Sequence, residues 1–169
     1  MADELPTAAP GTADSATPEF VLQSIYIKDA SFEAPNGPNI NAATWAPQFG
    51  MNMNTTGTTL ADNVHEVVLT VTLDAKINDT VAYLVEVKQA GVFLMRGYSA
   101  EDARRLVTTF CPNVLFPYVR QAISDLINKG GFPPFLLPPV NFDALVAQSM
   151  AQGNNGQLGG TDGGPSIVN

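Results

Sequence analysis

The stretch Val64–Ala75, VHEVVLTVTLDA, repeats with a period of two. His65, Val67, Leu69, Val71 and Leu73 share one parity; Glu66, Thr70, Thr72 and Asp74 share the other, with Val68 the exception. A helix cannot sort residues this way, because its faces repeat every ~3.6 residues, whereas a strand with one buried face does. Asn78, Asp79 and Thr80 then supply turn chemistry, and a second apolar run spans Val81 to Met95. The pair predicts an antiparallel hairpin with one face that other elements must cover.

Two more strands are predicted upstream, Phe20–Glu33 and Gln48–Thr55. The link between these two is the longest of the first half and long enough to cross over. Beyond residue 98 the pattern turns helical. Ser99 suits an N-cap, with a short helix expected to about Phe110 and then an interruption at Pro112 and Pro117. Val119, Ala122, Ile123, Leu126 and Ile127 form a stripe at helical spacing, with Gly130 as the expected stop. The segment GGFPPFLLPPV holds too much proline for regular structure. Asn141 caps a last helix, 142–152, with Val140 and Leu145 at staple positions. The expected class is α+β: four strands, the links after the first short enough for antiparallel pairing, followed by two main helices. Two helices cannot cover a long sheet, so part of it should meet a partner or stay exposed.

Three segments follow from composition. Residues 1–19 read as a disordered acidic N-terminal tail, and 153–169 as a flexible Gly/Asn-rich C-terminal tail. The folded segment lies between them, 20–152. Acidic residues outnumber basic ones 16 to 8, which argues against nucleic acid as a partner. No apolar run is long enough to span a bilayer, and the N-terminus lacks a basic start and an apolar run, so neither membrane insertion nor a signal peptide is expected. A single cysteine excludes an internal disulfide and fits a reducing compartment, so a cytoplasmic location is expected. Charged residues are only 14% of the chain, which leaves much neutral or apolar surface and points to subunit contacts or an apolar groove.

Cys111 and His65 are the only thiol and the only imidazole. As a catalytic pair they would need contact and a third, orienting group, and their strand-like and apolar contexts favour structural roles. No metal-ligand cluster and no phosphate-binding loop occurs, so no enzyme and no cofactor are expected. The apolar features say more. Met51 and Met53 alternate on a strand near Trp45 and Phe49, and prolines hold two Phe and two Leu in GGFPPFLLPP. Flexible Met side chains beside a stiff aromatic loop suit an adaptable apolar groove. Asp29 and Glu33, four residues apart on a strand, share one face.

The segments IYIKDASFEAPN, HEVVLTVTL, LVEVKQAGVF, CPNVLFPYVRQAISDLINKGGFPP and LPPVNFDALVAQ together resemble the SecB family of bacterial export chaperones. The resemblance implies an α+β fold, a four-stranded antiparallel sheet with two main helices packed on one face, and a homotetramer built as a dimer of dimers. It implies an ATP-independent holdase that binds unfolded precursor proteins and delivers them to the SecA motor. A SecB-like chaperone serving a toxin–antitoxin system is the alternative. Carried over residue by residue, the resemblance places SecA binding on Asp29, Glu33, Leu84 and Glu86. It places the client groove on Trp45, Met51, Met53, Phe142 and Leu145, and the tetramer interface on Val85, Val87 and Gln89. Val85 stands where some members have cysteine, and the C-terminal tail is less charged than many family tails.

Overall fold

A computed structural model describes residues 17–37, 40, 45–153 and 166–168. The disorder expected of residues 1–16 and most of the C-terminal tail lie outside these. Four long strands, β1 (Glu19–Glu33), β2 (Gln48–Ala61), β3 (Val64–Ile77) and β4 (Thr80–Arg96), are followed by α1 (Ala100–Arg105), α2 (Cys111–Lys129), α3 (Phe142–Gly153) and a short β5 (Ser166–Val168). The sheet is antiparallel throughout, in the order β1-β4-β3-β2-β5. The long β1–β2 link therefore crosses over, and β1 lies beside β4. Asn78 and Asp79 both take positive φ, 48° and 65°, the conformation that a two-residue hairpin turn requires.

One face of the sheet carries the core. Val67, Leu69, Val71 and Leu73 of β3 pair in register with Gly91, Gln89, Val87 and Val85 of β4, and α2 lies over them. Leu115, Val119, Ile123 and Ile127 repeat every four residues along α2 and are fully buried against this face. Gly91 permits the approach, since a methyl there would strike Leu115 and Phe93.

The expected break near Pro112 is absent. A π turn, Leu106–Phe110, joins α1 to α2 without interruption, and the Cys111 N–H donates to the Leu106 carbonyl. The wide turn leaves carbonyls that need partners. The Thr109 hydroxyl donates to Arg105 O (2.9 Å) and the Asn113 amide to Thr109 O (3.0 Å). Pro112 directly follows the π turn, so the widened turn is where the continuous helix takes in a residue without an N–H. Pro117 sits inside α2 on its exposed side, where the carbonyl it leaves unpaired can be hydrated.

The helix ends at Lys129 with Gly130 as its C-cap, as expected, but the left-handed residue follows it. Gly131, not Gly130, takes the left-handed φ of 79°. The Phe132 N–H bonds Ile127 O and the Gly131 N–H bonds Asn128 O, a Schellman motif. Gly130 serves a different purpose: a side chain there would collide with the Phe32 ring. Asn141 caps α3 as expected, its Oδ1 accepting from the Ala144 N–H at 3.0 Å. Yet only α2 lies along the sheet, while α3 packs against the π turn. The expected pair of helices side by side on the sheet is thus one long helix and one short one at its margin. Residues 166–168, expected to belong to a flexible tail, form β5 on β2.

Candidate functional site

The helix-side face ends in a groove of about 760 Å³ along β2. Phe49, Met51 and Leu73 form its floor and one wall; the proline-rich segment supplies Phe135, Leu136 and Val140; α3 adds Leu145. Phe49 and Phe135 stack with ring centroids 4.1 Å apart, which ties the irregular segment to the sheet. Prolines 138 and 139 limit how far that segment can fold inward. A smaller cleft of about 170 Å³ lies nearby, between Trp45, Ile40, Phe132 and Gly130. Trp45 there stacks on Tyr83, which also contacts Phe32 and Phe132. Burial pushes the Tyr83 phenol up to about 12, and its hydroxyl has no hydrogen-bond partner among the described residues.

The five residues assigned to the groove divide accordingly. Met51 and Leu145 line the groove, and Trp45 lines the smaller cleft. Met53 and Phe142 line neither; both are buried in the core, with Phe142 edge-on to Phe116 at 5.8 Å. Strand parity and the cap at Asn141 put them on the correct side, but depth along that side is a property of the packing. Phe49 and Phe135 were legible as aromatic residues in suggestive stretches, and their stacking was not.

The opposite face of the sheet is open. Asp29, Glu33, Leu84 and Glu86 all lie on it: Glu33 pairs with Leu84, Ser31 with Glu86 and Asp29 with Lys88. The face continues into β3, where Thr72 is the register partner of Glu86 and its hydroxyl donates to Glu86 at 3.0 Å. Three carboxylates thus flank one half-buried leucine; parity predicts the shared face within each strand, and the β1–β4 register brings the two strands' acids together. Lys88 was not anticipated. It bridges Asp29 at 3.2 Å and Glu86 at 3.4 Å, and those two bonds hold its ammonium above the usual lysine range. Farther along this face Glu66 accepts from Tyr26 and from Lys28 (2.6 Å). The Lys28 bond first, then the Tyr26 bond, hold the Glu66 carboxyl below the usual range.

The third set lies beneath the helix. Val85 and Val87 are fully buried beneath the helix, and Gln89 is nearly so, its amide donating to Tyr26 O at 2.9 Å. They face the core side of the sheet. Parity separates them from Leu84 and Glu86, and α2 covers their face. Cys111 is likewise buried, its thiol pushed up to about 12 by desolvation, and His65 meets the Thr59 hydroxyl at 3.2 Å. The thiol stays protonated and unreactive at neutral pH. Among the described residues no cluster of three or more His, Cys, Asp or Glu is placed to hold a metal, and no helix is long and apolar enough to cross a membrane.

Comparison with known proteins agrees with this architecture. The family described as "Preprotein translocase subunit SecB" matches residues 13–153. The "Protein-export protein SecB" of Nitrosococcus oceani is 50% identical over 136 residues, 79% of this chain and 83% of that one. The protein of the same name from Stenotrophomonas maltophilia is 47% identical over 153 residues, 90% of this chain and 89% of the other. A solved SecB-like chaperone from Mycobacterium tuberculosis, in complex with an antitoxin peptide, superposes with a TM-score of 0.62 at 13% identity, covering 72% of this chain and 91% of that one. The last likeness concerns the fold alone. With the family matched over most of its length and relatives near half identity, the chain belongs to the SecB family.

Proposed function

We propose that this protein is an ATP-independent chaperone of protein export, which holds unfolded precursors in the cytoplasm and delivers them to SecA. The observation that carries the reading is the separation of two surfaces. An apolar groove, floored by Phe49 and Met51, lies on the helix side, and the carboxylates Asp29, Glu33 and Glu86 lie on the opposite face. A client in the groove would leave the acidic face free, so a basic partner can dock without displacing the cargo. The groove suits extended apolar segments, since Met51 can repack around different side chains. The acidic face suits a basic surface on SecA, with Leu84 as a central apolar contact.

Assembly as a dimer of dimers belongs to the same reading. β1 is an edge strand that leaves Ile27 53% and Tyr26 39% exposed, and the outer side of α2 leaves Tyr118 51% exposed. Such apolar surface on an edge strand favours pairing with a second copy. The toxin–antitoxin alternative has only the fold likeness behind it, whereas the relatives near half identity are named for export.

The test separates the two surfaces. Met51→Asp with Leu145→Asp should cut suppression of client aggregation about tenfold, a loss of ~1.4 kcal/mol in client affinity, with SecA affinity by calorimetry unchanged. Asp29→Lys should do the reverse, weakening SecA binding by a similar factor. Full client protection in the first variant, or full SecA affinity in the second, would refute the corresponding assignment.

A further inference from the structure

The margin of β2 beside the groove is occupied by the chain's own C-terminus. Gly50 pairs with Val168, Met51 with Ile167 and Asn52 with Ser166, all antiparallel. β2 is the last long strand on this side of the sheet, so its outer N–H and C=O groups need either water or another strand. The tail supplies that strand at Met51, a groove residue, and at the residue on either side of it.

The tail sequence fits this place. From Gly153 onward it is rich in Gly and Asn, and its only adjacent apolar pair is Ile167–Val168. Both residues are β-branched, the type that favours a strand against a pleated surface. The apolar pair belongs to the same chain as β2, so its pairing is intramolecular and its effective concentration there is high. Three residues make few ladder bonds, so the pairing is easily displaced by a longer strand.

We propose that the β2 margin at Gly50–Asn52 accepts an extended apolar segment by antiparallel strand addition, and that Ser166–Val168 is its built-in competitor. The proposal rests on the export-chaperone reading and adds two things to it: a backbone contact for the client and an internal gate on affinity. A client segment in the groove could lie along β2, with main-chain bonds giving sequence-tolerant affinity and the groove taking alternate side chains. The tail must first leave. If it occupies the margin roughly nine-tenths of the time, apparent client affinity falls about tenfold.

Two full-length variants test this, with reduced, carboxymethylated α-lactalbumin as the unfolded probe. Ile167→Asp with Val168→Asp should release the margin, tightening probe binding about tenfold and speeding amide exchange at the outward-facing N–H groups of residues 50–52. Asn52→Cys with Ser166→Cys joins register partners; once oxidised, it should weaken probe binding, and dithiothreitol should restore it. Cys111 stays out of this chemistry because it is buried. Equal probe affinity in wild type, released and locked proteins overturns the competition while leaving the chaperone reading intact. Amide exchange at 50–52 that is identical in wild type and the released variant overturns the pairing itself. Absence of probe binding in every form overturns the chaperone reading and, with it, the competition.

Discussion

A single residue decides which face of the sheet β1 presents. Two bulges, at Gln23 and Lys28, interrupt its pairing with β4. Each adds one residue and so reverses the parity that follows. Without the second, Asp29 would share a face with Ile25 and Ile27 and would point toward the helix side. With it, Asp29 joins Glu33 beside Leu84 and Glu86, and Lys28 reaches Glu66. The ion pair has a pH signature. The Glu66 carboxyl is held below its usual range, so its contribution to stability is present above the unfolded carboxylate value and fades as pH falls through the lower folded value. The stability advantage of wild type over Glu66→Gln, from urea midpoints, should therefore shrink between pH 6 and pH 3. An advantage that is constant with pH would show that the pair contributes nothing. The half-exposed Lys28 is screened by water, so the effect should be modest.

Among the elements, α2 has the most to support. It covers Val85 and Val87, both fully buried in the core. Val87→Phe should overpack this face and cost about 1–3 kcal/mol of subunit stability. Thermal unfolding should show the loss before any change in assembly. If the melting temperature is unchanged while the oligomer dissociates, the burial of Val87 is not what governs it. The π turn is a second example of element-level control. It admits Pro112 into a continuous helix, and Gly57 on β2 lies so close to the Val107 side chain that a Cβ there would displace it. The helix thus meets the sheet where a glycine and a widened turn coincide.

For the molecule as a whole, the two faces of one sheet do separate work in the proposed function. The strand order β1-β4-β3-β2 places the acidic cluster toward β1 and β4 and the groove along β2, on opposite sides. Exposed apolar residues on β1 predict self-association. Native mass spectrometry should give a species of about four times 17.9 kDa. Ile27→Asp, which puts charge on the exposed edge strand, should shift it to smaller species. A wild-type monomer at micromolar concentration would count against the proposed assembly.

By itself the sequence determined the strands, their alternation, the caps at Ser99 and Asn141, and that Asp29 shares a face with Glu33 and Leu84 with Glu86. These follow from period-two patterning and local hydrogen-bonding chemistry, which act over a few residues. The bulge at Lys28 decided that the two pairs share one surface. Tertiary structure alone decided how deep each apolar side chain lies. Met51 lines the groove while Met53 is core; Leu145 lines it while Phe142 is core; Val85, Val87 and Gln89 lie under a helix rather than at a surface. Those outcomes depend on which element lands on which face, and on a π turn that lets two predicted pieces run as one helix. The place of Ile167–Val168 beside Met51 belongs to the same class, because strand pairing across more than a hundred residues leaves no local trace in the chain.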